Sequence, residues 1–293
     1  MKFLLFAQHG WADDHRGMVR CSRLLGVENA IAPNLGWWQT WRRIAPLIKQ
    51  VEEVAQSQLK AYPRLPWRIV GHSMGGLIWL ELLHRYPEWH DRVESLVLLG
   101  SPVGGAELGR MLDPLNLAIG SDLAVNRRPI AEAIAQKIPT LSIAGDIDGG
   151  SDGVVTVGST QFNYAQCQNL PNIFHPDLRF DARVITAIHN FWSAPFISQI
   201  DRDLQQQLID YLRSIPSIID GHYRDFDRAK VVYQFNQDLI LKQWRNPLGF
   251  SHVYLGKQNQ CLFAGYVSWL DRQKLARSIG QIPHKFGDYL LKN

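Results

Sequence analysis

Cysteine is scarce: Cys21, Cys167 and Cys261 lie far apart and in no CxxC spacing. An odd, scattered set suggests neither a disulfide framework nor a zinc knuckle and fits a reducing, cytoplasmic setting. No HExxH or clustered Cys/His pattern stands in the chain, and no GxGxxG follows a strand, so neither a metal nor a nucleotide cofactor is implied. No apolar run approaches the roughly eighteen residues of a transmembrane helix. The start, MKFLLFA, turns polar at Gln8, His9 and Gly10, too soon for a secretory h-region, and reads as a strand. Repeats and low-complexity tracts are absent, which excludes solenoids and arrays. Charge of one sign is also thin. The net charge of +4 divides into −1 over residues 1–215 and +5 over 216–293, without a basic run. That pattern gives no sign of nucleic-acid binding and reads as a solvated face; the alternative for the tail is an anionic partner or a peripheral membrane contact.

What is present is ordinary globular material, 46% hydrophobic and 20% charged in 293 residues. This suits one large α/β domain, or a domain of about 200 residues with an appendage. Runs of β-branched and apolar residues alternate with helix-period segments through residue 215, the signature of βαβ units and a mostly parallel sheet. Strands are expected at 2–8, 27–32, 67–70, 93–99, 140–144 and 183–188. Helices are expected at 15–25, from Pro46 to about Leu59, at 77–85 and at 201–212. Residues 103–137 exceed a simple crossover and suggest a small cap that could act as a lid. After Ser214-Ile215-Pro216 the pattern changes. Residues 216–293 read as a small α+β extension, with strands at 231–235, 252–255 and 261–269 and a helical stretch at 271–291.

The most informative stretch is Gly71-His72-Ser73-Met74-Gly75-Gly76, a GxSxG placed between a buried strand and a helix. A serine on so sharp a turn has strained dihedrals and needs small residues two before and two after it; Gly71 and Gly75 meet this. Its hydroxyl then stands at the positive end of the helix, where the Met74 amide can help hold an oxyanion. A lone serine is a poor nucleophile and needs a base and an orienting acid. Asp146, Asp148 and Asp152 compete for the acid in GDIDGGSDG. Position at the strand end favours Asp148, the DGVV context favours Asp152, and the others could shape the loop or hold a cation. For the base, His189 competes with His175, His222, His252 and His284; His189 is preferred because it ends the expected strand 183–188. A second oxyanion donor is expected from His9-Gly10-Trp11, through the Trp11 amide. Trp37, Trp38 and Trp41 could line an acyl pocket, dock a membrane surface or simply pack.

These segments, QHGW (8–11), VGHSMGG (70–76), LLGSPVGGAELG (98–109), DGVVTVGST (152–160) and IHNF (188–191), together resemble the serine esterases and lipases of the α/β-hydrolase fold. The third and fourth are similar to the lipase-like and PGAP-one-like groups, with Ser101-Pro102 where those have Thr-Pro. Over residues 1–213 the resemblance implies Ser73 as nucleophile, Asp152 and His189 as acid and base, and Trp11 and Met74 as oxyanion donors. The resemblance implies a sheet without the first two strands of the full fold, so a six-stranded sheet is expected; no family is recognised for the tail. The implied chemistry is hydrolysis of a small-molecule or lipid ester through an acyl-serine. The alternatives are an acyltransferase or thioesterase using the same residues, and a non-catalytic binding protein on a hydrolase scaffold. Acyl length and oligomeric state are left open.

Overall fold

In the computed structural model, which describes residues 2–105 and 119–291, the apolar runs of the first unit (residues 1–200) form one parallel sheet. Its strands are β1 (Leu4–Gln8), β2 (Trp67–His72), β3 (Val93–Leu99), β4 (Thr140–Asp146) and β5 (Gln166–Pro171), in the order β1-β2-β3-β4-β5. Alternation along the strands feeds two cores. Leu4, Phe6, Ile69, Leu96 and Leu98 face helices α2 (Ile44–Ala61), α3 (Met74–Arg85) and α4 (Arg128–Ala135). Leu5, Ala7, Val70, Val97 and Leu99 face α1 (His15–Leu24) and α5 (Ala182–Ser193). Both faces are covered, which is why β2, β3 and β4 read as nearly continuous apolar runs. No helix among the described residues is long and apolar enough to cross a membrane.

Three expected elements differ. Residues 183–188 are not a strand but part of α5. The β-branched run RVITAI suggested extended structure, but Asp181 caps the segment by accepting from the Arg183 amide at 2.8 Å. Buried Val184, Ala187, Ile188, Phe191 and Trp192 then recur at helical spacing over two turns, so burial of one helical stripe overrides local propensity. Residues 27–32 contribute only a bridge between Ile31 and Phe6. In their place stands β5, QCQNLP, whose side chains alternate between half-buried and exposed at the sheet edge. The described parallel sheet therefore has five strands rather than six. Of the expected cap 103–137, residues 106–118 lie outside the described residues, whereas α4 puts Ala131, Ile134 and Ala135 into the sheet core as a crossover helix.

The second unit, residues 201–293, includes α6 (Leu204–Arg213), which the expected boundary at 215 would have left in the first. Leu204, Leu208 and Leu212 pack in the second unit's own core. An antiparallel sheet of β6 (Ile219–Asp220), β7 (Lys230–Gln234), β8 (Leu239–Arg245), β9 (Ser251–Lys257) and β10 (Gln260–Val267) runs in the order β6-β10-β9-β8-β7. Leu241, Val253 and Leu255 on one face meet Leu275 and Ile279 of α7 (Arg272–Gly280), with α8 (Ile282–Phe286) completing the cluster.

Candidate active site

Ser73 joins β2 to α3 with φ 54° and ψ −126°, a region that costs a non-glycine residue about 1–3 kcal/mol. The surroundings hold it there. Its amide donates to the Leu99 carbonyl at 2.8 Å and its carbonyl accepts from the Gly76 amide at 3.1 Å. The glycines around it are steric requirements. A Cβ on Gly71 would lie 2.5 Å from the Gly76 Cα, and one on Gly75 would lie 2.3 Å from the Gln8 carbonyl oxygen.

Gly10 brings the loop after β1 to the same point, since a Cβ there would sit 2.8 Å from the Ser73 Cβ and 3.1 Å from the Met74 nitrogen. The Met74 amide opens α3 and has no intrahelical acceptor. Neither it nor the Trp11 amide has an acceptor among the described residues. His9 pins this loop. Its Nε2 accepts from the Leu35 amide at 3.0 Å, which leaves Nδ1–H to donate to the Gly10 carbonyl at 3.1 Å. Burial pushes the His9 pKa below its ordinary value, against a smaller opposing pull from Asp13, so the neutral ring this arrangement needs is favoured.

The acid resolves geometrically. Asp146 accepts from the Gly149 and Gly150 amides, each at 2.8 Å, and Asp148 accepts from the Ser151 amide at 2.9 Å, so both serve the loop. Asp152 is buried, and its Oδ1 accepts from the Val154 and Val155 amides at 3.0 and 2.7 Å. Its Oδ2 meets Nδ1 of His175 at 2.6 Å.

His175, not His189, is therefore the histidine brought to the acid. His189 lies exposed on α5, its ring 6.1 Å from Trp192; with 183–188 helical, it no longer stands at a strand end. His175 follows β5, the strand whose weak apolar pattern concealed it. It obeys the order serine, acid, histidine, and the adjoining Pro176 marks a break in the chain where a loop residue belongs. The His175 ring lies against Gly100 at the end of β3, where a Cβ would approach its Cε1 and Nδ1 to 2.9 Å. Two further bonds fix its backbone. Its amide donates to the Asp152 carbonyl at 3.0 Å, and its carbonyl accepts from Nε2 of His72 at 3.0 Å. His72, beside Ser73 in sequence, packs its ring 4.7 Å from that of His175. Burial, reinforced by nearby His175 and Arg179, pushes the His72 pKa well down, keeping it an uncharged donor.

Beside the Gly10 loop runs a file of indoles. Trp11 meets Trp41 at 4.5 Å, Trp41 meets Trp37 at 5.5 Å, and Trp37 meets Trp38 at 4.5 Å between centroids. Trp37 Nε1 donates to the Ala12 carbonyl at 2.9 Å, and Trp38 is 77% exposed. Trp37, Trp38 and Trp41 are the tryptophans the sequence singled out; Trp41 meets Trp11, and Trp37 and Trp38 continue the file away from it. Among the described residues no His, Cys, Asp and Glu cluster could hold a metal ion.

The family described as serine aminopeptidase, S33, matches residues 9–154. No curated protein matches the chain. Among solved structures, the mature lipase BlEst2 of Bacillus licheniformis is 15% identical with a TM-score of 0.50, over 66% of this chain and 91% of its own. The propeptide form of that lipase is 12% identical with a TM-score of 0.56, over 92% of this chain and 72% of its own. Est1E of Butyrivibrio proteoclasticus, with ferulic acid bound, is 17% identical with a TM-score of 0.48, over 66% and 89%. With a parallel sheet that carries its strained serine between β2 and α3, and a family match spanning that serine and Asp152, the first unit has the α/β-hydrolase fold.

Proposed function

We propose that the first unit is a serine hydrolase that cleaves carboxylic esters, with Ser73 as nucleophile, His175 as general base and Asp152 as its orienter. The observation that carries this is the buried 2.6 Å contact between Asp152 Oδ2 and His175 Nδ1. It fixes the proton on Nδ1 and leaves the Nε2 lone pair for the serine. In the first step Nε2 takes the Ser73 proton as Oγ bonds to the ester carbonyl carbon, and the carbonyl oxygen takes the π electrons. The Met74 and Trp11 amides hold that oxyanion. As the tetrahedral centre collapses, the C–O bond to the alcohol breaks and His175 returns the proton to the leaving oxygen. Water, deprotonated by the same nitrogen, then attacks the acyl-serine, and the acid departs with Ser73 restored. Trp37 and Trp38 form the apolar approach for the acyl or alcohol group of a small-molecule or lipid ester.

The test is covalent labelling by a fluorophosphonate, mapped by peptide mass, on the parent chain and on Ser73→Ala, His175→Ala and His189→Ala. The expected adduct is on Ser73, lost in the first variant, strongly slowed in the second and unchanged in the third. An adduct that depends on His189 instead would overturn the assignment of the base. Product analysis with a competing alcohol or thiol separates hydrolysis from acyl transfer.

One observation supports a second reading, concerning residues 201–293. A match over 92% of the chain must extend well into them, whereas one over 66% fits within the first 200 residues, and the longer match is to a propeptide form. We infer that the second unit is a removable segment. Residues 194–203, which join it, have no helix or strand and expose Phe196 and Ile197. Limited proteolysis there is expected to leave a folded first unit that still labels at Ser73; aggregation of the cut protein would contradict it.

A further inference from the structure

The second unit has a cavity of about 260 Å³ between the open end of β8 and β9 and the start of α7. Strand alternation decides which side chains face it. Gln243 and Arg245 share the face of Leu241, and the register sets Arg245 opposite Ser251. On that face α7 lays Leu275 into the core, so Arg272, one turn earlier, and Ala276 close the cavity from above. Trp244 and His252 alternate to the other face, where their rings pack 5.2 Å apart; they reach the lining from behind.

The polar side chains left in the cavity all carry donors. Two guanidinium groups, an amide and a hydroxyl offer donors, and none of Gln243, Arg245, Ser251 and Arg272 has a side-chain hydrogen bond or ion pair among the described residues. No carboxylate lines the space. The acid nearest in sequence, Asp271, is held by Lys274 at 2.7 Å. Structural arginines elsewhere in this chain are matched, as Arg127 with Glu81 and Arg43 with Asp122 show. A donor-rich cavity with two unmatched guanidinium charges and no carboxylate in its lining is complementary to a dianionic oxyanion, which arginine recognises through charge-assisted bonds. Leu275 and Ala276 supply a short apolar wall for an organic group. The volume lies below the roughly 300–1,000 Å³ of sites for drug-sized ligands.

We propose that this cavity binds a small phosphate monoester, either free or as the headgroup of a lipid. The proposal does not rest on the esterase reading, and Ser73→Ala is expected to bind as the parent does. The experiment is calorimetric titration of the full chain with glycerol 3-phosphate, inorganic phosphate and acetate. In parallel, co-sedimentation uses vesicles of phosphatidylcholine with and without phosphatidic acid. Saturable one-to-one binding of glycerol 3-phosphate, tighter than acetate, is expected. Arg245→Ala and Arg272→Ala should each weaken it by about tenfold or more. Arg277→Ala, which removes a charge from the same helix outside the cavity, should leave it unchanged. Binding confined to phosphatidic acid vesicles, with the same two arginines required, supports the lipid source. The proposal fails if no phosphate probe binds, if acetate binds as tightly as the phosphates, or if Arg277→Ala weakens binding as much as the cavity variants do. Thermal melts establish that these exposed substitutions leave the fold intact.

Discussion

In the first unit, the strand ends of a parallel sheet and the loops that follow them bury His9, His72, Asp152 and His175, and each has at least one hydrogen-bond partner from backbone or from another of the set. In the second, an antiparallel sheet leaves Gln243, Arg245, Ser251 and Arg272 around a cavity rich in donors and lined by no carboxylate. The difference is one of preorganisation. Polar groups already satisfied and held are suited to chemistry, because nothing need rearrange as charge develops; unsatisfied groups open to water are suited to recognising something that arrives. Substitutions should therefore act on rate in the first unit and on binding in the second.

The largest contrast is expected in the catalytic pair. Ser73→Ala and His175→Ala should each lower kcat/KM on a chromogenic ester by about 10⁴-fold, while His189→Ala stays within a few-fold. A large loss in His189→Ala would break the comparison at its root. Next come the glycines. Gly75→Ala drives a Cβ to within 2.3 Å of the Gln8 carbonyl, so the Gly10 loop or the serine turn must move. A displacement on that scale costs activity on the order of 100-fold, with about 1–3 kcal/mol of stability. Gly280→Ala in the second unit meets nothing within 4 Å at the end of α7. There the substitution should stabilise by up to about 1 kcal/mol, read from denaturant midpoints.

His72 tests whether the base is held as well as placed. His72→Phe keeps a flat ring but removes the donor to the His175 carbonyl. A drop in kcat of about tenfold with little change in KM is expected, since only the position of the base is disturbed. His72→Gln, which restores an amide donor, should recover part of the loss; equal rates for both variants would mean that the bond does not position His175.

The nucleophile half of this site was legible because its constraints are local. GHSMGG must follow a strand and open a helix, and Gly71 and Gly75 meet steric demands visible in the spacing alone. Gly10 and Trp11 were legible for the same reason. The base half was not, because β5 is an edge strand whose QCQNLP buries little, while RVITAI carries the composition of a strand but the capping and stripe of a helix. An assignment that relied on strand ends thus moved one element along and reached His189. Asp152 was favoured by its DGVV context, and its contact with His175 is what supports proposing it, rather than Asp146 or Asp148, as the orienting acid. In the tail, β8 went unread because LILKQWR mixes buried and exposed positions, and the cavity beside it depends on register, which no single stretch of sequence encodes.

The smallest expected effect is on stability against pH, and its sign follows from burial. His9 and His72 both have folded-state pKa values below the ordinary 6.5, with desolvation the leading cause. The unfolded chain therefore takes up protons that the folded chain resists, and stability rises with pH wherever the unfolded state binds more. Acidification through the ordinary histidine range should destabilise the first unit, and the loss should continue until the depressed folded-state values are reached. Of the two, His72 is shifted the further and should contribute the larger part of the loss between about pH 7.5 and about pH 5.5. His252 in the second unit is shifted the same way, but it is less enclosed and nearby Asp225 opposes the shift, so its share is smaller. Urea melts of the parent and of His72→Phe at the two pH values make the comparison. The variant should lose less stability on acidification than the parent, because it has removed one proton-resisting site. If the two lose equally, the buried imidazole beside Ser73 is not what sets the acid limit of the first unit.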